Sequence, residues 1–271
     1  MTVDIAIAEI RRRQLMEHVT KEFEQTVDGK YEFVRVDLIK NKNSDDLFKA
    51  RIRKLQRQRE NAAKNKLFNT SGILDADGNV DEVKQAGLLR MKTYFAENKF
   101  QTTLEHVNLM FVWHGCPSED VGRAISETGF ADLSITDAGY FGRGVYTTPQ
   151  VKYASDVYAK RADDGLKCLI FAVVAVGNTY ILSRKTDYEK VDGSPVPMCR
   201  FDCRYGHPPG ESGDGKALKK NGFDSHFVSI SAKAGYQADD VEPEFDEIVT
   251  HESQVLPLCR VVIRAKQHTD N

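Results

Sequence analysis

A chain of 271 residues can bury a sizeable core as one large domain or two small ones. Its 41% hydrophobic and 29% charged residues are ordinary for a globular protein, and 38 basic against 40 acidic side chains exclude a whole-protein electrostatic argument for nucleic acid or membrane surfaces. Five scattered cysteines argue against a disulfide framework, and no apolar run reaches the roughly 18 residues of a membrane span, so an intracellular protein, cytoplasmic or nuclear, is expected.

Residues 10–26 read as a helix, with Leu15, Val19 and Phe23 at four-residue spacing and Gly29 as the stop. Tyr31 to Ile39 alternates as a strand, with Val34, Val36 and Leu38 on one side and Arg35 and Asp37 on the other. Ser44, with Asp45 and Asp46, is the expected cap of a helix carrying Phe48, Ile52 and Leu55. That helix holds seven basic residues between Arg51 and Lys66. No aromatics interleave to stack bases, so a solvated face is favoured over a nucleic-acid patch.

Residues 67–102 read as an insertion. DADGNVDE, Asp75 to Glu82, hints at a calcium loop, but its glycine is at the fourth position and Ala86 stands where the glutamate should be, so a turn is favoured. A helix from Val80 to about Glu97 should lead back to a buried strand, Leu109 to Trp113, that delivers His114 and Gly115 at its end. Pro117 and Ser118 open a short helix closed by Gly129. A glycine-rich loop from Asp137 to Gly144 then leads to Tyr146, and Ser155 and Tyr158 lie three apart on a further helix.

The apolar run from Cys168 to Gly177 reads as a strand buried on both faces. Residues 184–222 read mostly as a long loop. Inside it GESGDGK, Gly210 to Lys216, lacks the hydroxyl residue and preceding strand of a phosphate loop, and Cys199, Cys203 and His207 have unusual spacing for zinc. No metal is expected. Strands are expected at Ser225 to Ile230, Asp246 to Thr250 and Val255 to Ile263. Many short strands without regular βαβ alternation indicate an α+β fold, mostly antiparallel, in one domain over residues 1–271 with its core at about 12–264.

Five segments taken in order are more specific than any alone: WHG at Trp113, GYFGRGVYTT at Gly139, KYASDVY at Lys152, GFDSHFVSI at Gly222 and FDEIVTHESQVLPL at Phe245. In these the chain resembles the poly(ADP-ribose) polymerase family, the diphtheria-toxin-like ADP-ribosyltransferases with a His-Tyr-Glu triad. Residues 31–65 resemble the opening of the catalytic domain in the mono-ADP-ribosylating branch, and no stretch resembles the helical regulatory domain of DNA-damage-responsive members. The resemblance implies the ADP-ribosyltransferase fold, a split, mostly antiparallel sheet core with flanking helices. It also implies NAD as substrate, and protein acceptors that include the chain itself; the charge balance and the Arg51–Lys66 helix give no reason to expect membrane or nucleic-acid partners.

By that resemblance His114 bonds a ribose hydroxyl of NAD, the Gly115 backbone and Ser155 hold the nicotinamide amide, Tyr158 stacks on its ring, and Tyr140 and Tyr146 line the same site. Tyr146 completes the triad with His114 and an acid. The acid is Glu247 by the forward motif and Asp246 by the spacing back from QVLP; Glu247 is favoured for its reach, with Asp246 second. Strand alternation lets only one of the two face the cleft. Cleavage of the nicotinamide–ribose bond develops oxocarbenium character, so a clamped leaving group and a carboxylate near the sugar suit it. A catalytically impaired NAD-binding or interaction module is the alternative.

Overall fold

The computed structural model describes residues 19–20, 23, 29–65, 79–97, 107–131, 144–160, 162, 165–182, 223–231, 236–237 and 243–266. Tyr140, the expected loop 184–222 with GESGDGK, Cys199, Cys203 and His207, and most of the expected N-terminal helix, glycine-rich loop and calcium-like turn lie outside these residues. Strand β1 is Tyr31–Leu38 and is followed by helix α1, Lys42–Asn65. Helix α2 is Glu82–Glu97, β2 Leu109–Cys116 and α3 Glu119–Thr128. A short strand β3, Val145–Thr147, precedes α4, Val151–Tyr153, which runs on as a single π-helical turn, Ala154–Tyr158. The remaining strands are β4 Leu166–Ala175, β5 Thr179–Leu182, β6 Ser225–Ser231, β7 Tyr236–Gln237, β8 Phe245–Thr250 and β9 Val255–Ala265.

Two sheets form, in the orders β1-β9-β4-β2 and β3-β8-β6-β5, with β7 on β6. Every pairing is antiparallel except β5 with β6. Among the described residues one bridge joins the sheets: Trp113 N–H donates to Thr148 O at 2.7 Å and Thr148 N–H to Trp113 O at 3.0 Å. This split arrangement of sheets and helices is the α+β ADP-ribosyltransferase fold.

The apolar run on β4 is buried on both faces for a simple reason. Leu169, Phe171 and Val173 join Phe48, Ile52 and Leu55 of α1 in one core cluster. Ile170, Ala172 and Val174 join Phe227 and Ile248 of the second sheet, Met91 of α2 and Ile125 of α3 in another. Burying each such side chain contributes roughly 1.5–3 kcal/mol, so these two layers hold the sheets together.

Two local readings are corrected. Helix α1 starts at Lys42, and its cap is Asn41, whose Oδ1 accepts the Ser44 N–H at 3.0 Å. Asn41 Nδ2 also donates to Glu127 O at 2.6 Å, near the C-terminus of α3, so one side chain serves two helix ends. Strand β1 does not alternate as expected: a bulge between Phe33 and Arg35 resets its phase. Phe33 and Val36 pack on the core, while Val34 and Leu38 are exposed. The expected two-residue rhythm assumed an unbroken ladder.

The basic face of α1 is also not simply solvated. Arg51 Nη2 donates to Gln254 Oε1 at 2.7 Å and reaches Asp224 Oδ1 at 3.3 Å. Arg59 Nη2 donates to Gly177 O at 2.9 Å. These guanidinium groups tie α1 to the turns around β5, β6 and β9, a use the sequence pattern did not reveal.

Candidate active site

Strand β2 is the edge of its sheet and ends in the His114–Gly115 corner. Its alternation decides the directions. Trp113 spends its N–H and C=O on Thr148, so Gly115, two residues on, aims its own peptide groups toward the same open edge. Gly115 also permits close approach. A Cβ there would fall 2.4 Å from Ala154 O, 2.5 Å from Ala159 N and 2.6 Å from Tyr158 Cβ. The π-helical turn therefore rests directly on this glycine, closed by Ala159 N–H to Ala154 O at 2.9 Å.

His114 Nδ1 lies 2.8 Å from Tyr146 O. A carbonyl only accepts, so Nδ1 carries the hydrogen. Burial holds the imidazole pKa below its ordinary value. At neutral pH Nε2 is then an acceptor, the form that receives a hydroxyl hydrogen. The Phe130 ring meets the imidazole edge-on, 5.2 Å between centroids.

Strand β8 settles which side each acid faces. Phe245 and Val249 pack with Tyr153, Val228 and Ile230, and Tyr146 and Tyr158 lie against this cluster. Glu247, between Phe245 and Val249 in the alternation, points to that face, and its Oε1 is 2.6 Å from the Tyr158 hydroxyl. Tyr146 sits opposite Val249 in the β3–β8 ladder. Asp246 points to the other face, where Arg90 Nη2 pairs with its carboxylate at 3.0 Å and Tyr94 donates at 2.9 Å. The second-choice acid is thus committed to an ion pair on the face away from Tyr146 and Tyr158.

Glu247 is 1% exposed, and among the described residues its Oε2 has no hydrogen-bond partner. Burial without a cation pushes its pKa up to about 8, only partly offset by the Tyr158 hydroxyl. The Tyr158 phenol is pushed up in turn, by burial and by the charge of Glu247. Tyr153, which the sequence reading missed, stands edge-on to Tyr158 with 5.3 Å between ring centroids. Its place inside KYASDVY was the available signal.

Ser155 is fully buried, and its hydroxyl donates to Lys152 O at 3.1 Å. That bond uses its hydrogen and leaves lone pairs for an incoming amide N–H. The structure therefore gathers Gly115, Ser155, Tyr158 and Glu247 by direct contact or shared turn, and His114 with Tyr146 through a backbone carbonyl. Such a group can clamp an amide-bearing ring and present an acid and a neutral imidazole to a sugar.

Residues 78–195 match the family model of the poly(ADP-ribose) polymerase catalytic domain, so this part of the chain is similar to that family. The matched segment contains α2, His114, Gly115, Tyr146, Ser155 and Tyr158, and ends before β6 and β8. Catalytic domains of this family are ADP-ribosyltransferases that use NAD as substrate. A comparison with curated proteins gives no match.

Proposed function

We propose that the protein transfers a single ADP-ribose unit from NAD to a protein side chain, itself included, and releases nicotinamide. The bond between ribose C1′ and the pyridinium nitrogen breaks, and its electron pair stays on nitrogen as neutral nicotinamide. An acceptor nucleophile bonds C1′ and loses its proton. The observation that carries this reading is the Glu247 Oε2 atom, buried without a partner beside Tyr158. An orphaned acid oxygen costs stability unless a ligand uses it.

In this reading the Gly115 peptide and the Ser155 hydroxyl hold the carboxamide, and Tyr158 lies on the ring. His114 Nε2 accepts from a ribose hydroxyl, with Tyr146 beside the ribose. Glu247 accepts a second hydroxyl and stabilises the cationic sugar. The pyridinium charge of NAD draws the acid toward ionisation, lowering its pKa when substrate is bound. Single-unit transfer rests on the likeness of residues 31–65 to the mono branch.

Incubation with labelled NAD and a protein mixture tests the proposal. Discrete labelled bands are expected, and His114→Ala or Glu247→Gln should abolish them; a smear of long chains or label that survives both changes would refute the assignment. The second reading is an idle NAD-binding module, in keeping with burial that raises the pKa of the unliganded acid. That module would bind NAD and remain unlabelled even at pH 9.

A further inference from the structure

The acid that does not face the cleft is bound more completely than the one that does. Asp246 is 1% exposed, and each of its polar groups is held from another element. Arg90 Nε donates to both carboxylate oxygens at 3.2 and 3.1 Å, and its Nη2 contacts Oδ1 at 3.0 Å. The same Nη2 reaches the Ser229 hydroxyl on β6 at 2.5 Å. The Asp246 N–H donates to Gln150 Oε1 at 3.1 Å, and its carbonyl accepts from the Thr148 hydroxyl at 2.7 Å. Gln150 Nε2 closes the ring by donating to the Tyr94 hydroxyl at 2.6 Å.

Three elements meet at this residue. Arg90 and Tyr94 lie four apart on one face of α2. Gly87 brings that helix close: a Cβ there would be 2.8 Å from Ile181 Cγ2 and 3.8 Å from Phe227. Thr148 and Gln150 form the corner between Tyr146 and the turn bearing Ser155 and Tyr158. On β8 the next residue is Glu247. The ring thus ties the tyrosine-bearing corner to the acid-bearing strand at the point where both approach the cleft.

We infer that Arg90, Tyr94 and Gln150 are positioning residues that act through Asp246 to hold Glu247 under Tyr158. This deepens the proposed function and rests on it for its catalytic meaning. A buried pair can be mere scaffold, and an apolar substitute is often equally stable. Here the bonds converge on both the side chain and the peptide groups of one residue, which a simple packing contact does not require. Small displacements of a reacting group cost on the order of a hundredfold in rate, so this local grip is where precision is set.

Arg90→Leu leaves a buried carboxylate without its cation and is a poor first test. Tyr94→Phe and Gln150→Met keep shape and fold while cutting the ring. Two readouts apply: the Glu247 carboxyl titration followed by carbon-13 NMR in the absence of NAD, and kcat and KM for NAD during labelling. Relaxation of β8 should move the Glu247 midpoint toward the ordinary glutamate range. The kcat should fall by on the order of tenfold with KM within about twofold. Unchanged titration and kcat in both folded variants would overturn the inference, as would losses that merely follow thermal stability. If the wild type neither labels protein nor binds NAD, the proposed function fails while the titration still decides the positioning.

Discussion

At the scale of single residues, Glu247 combines burial, a tyrosine bond and an unpartnered oxygen. Its pKa is about 8 in the folded protein against 4.5 for an ordinary glutamic acid. Below the ordinary value both folded and unfolded chains hold the proton, and no stability difference arises. Between the two values the folded protein keeps a proton that the unfolded chain has released, so stability is lost as pH rises through the folded value. Each pK unit corresponds to about 1.4 kcal/mol. Glu247→Gln cannot ionise, so its advantage over the wild type in thermal melting should grow from pH 5 to pH 9. Parallel melting curves across that range would count against the buried acid. Tyr158→Phe removes the hydroxyl that favours the ionised acid, so the Glu247 midpoint should move higher still in an NMR titration.

At the scale of elements, two glycines set how closely a helix can approach a strand. Gly122 lies within α3, where alanine is normally preferred by about 1 kcal/mol. A Cβ at this position would stand 2.3 Å from Cys168 Sγ and 3.6 Å from Cys116 Sγ, so the clash decides the sign. Gly122→Ala should destabilise by about 1–3 kcal/mol. In a Cys168→Ala background the same change should become neutral or stabilising, and denaturant midpoints of the four variants check this. Gly115→Ala meets two backbone atoms that cannot rotate away. It should displace the π-helical turn and with it Tyr158. A loss of NAD binding larger than the loss of stability is the expected result, read by calorimetric titration against thermal melting.

At the scale of the whole molecule, α1 is attached to the sheets by apolar packing and by two guanidinium groups. Burial raises the Asp224 carboxyl pKa, while Arg51, 16% exposed, acts in the opposite direction. Arg51→Ala leaves both Asp224 and Gln254 without this donor. A loss of about 2 kcal/mol or more in chemical denaturation is expected. Retention on DNA or RNA, measured as salt is varied, should be no weaker than for the wild type, since Arg51 is spent inside the fold. A strong dependence on Arg51 in that measurement would restore the nucleic-acid reading of the helix. No helix among the described residues is long and apolar enough to cross a membrane.

Patterning of the sequence determined the strands β2, β4, β6, β8 and β9, the helix before β2, and the Ser118 and Gly129 ends of α3. Those features depend on neighbours a few positions away, through alternation, helical spacing and caps. The family resemblance narrowed the candidate acid to the adjacent Asp246 and Glu247, and alternation along a strand lets only one of them face a given side. Tertiary structure alone decided where each points: register placed Glu247 opposite Val228 and Asp246 opposite Ser229, sending the first toward Tyr158 and the second toward Arg90. The bulge in β1, the Asn41 cap shared by two helices and the use of Arg51 likewise depend on partners distant in sequence. A local pattern carries the periodicity of a side chain, but the partner it meets is fixed only when separate elements pack.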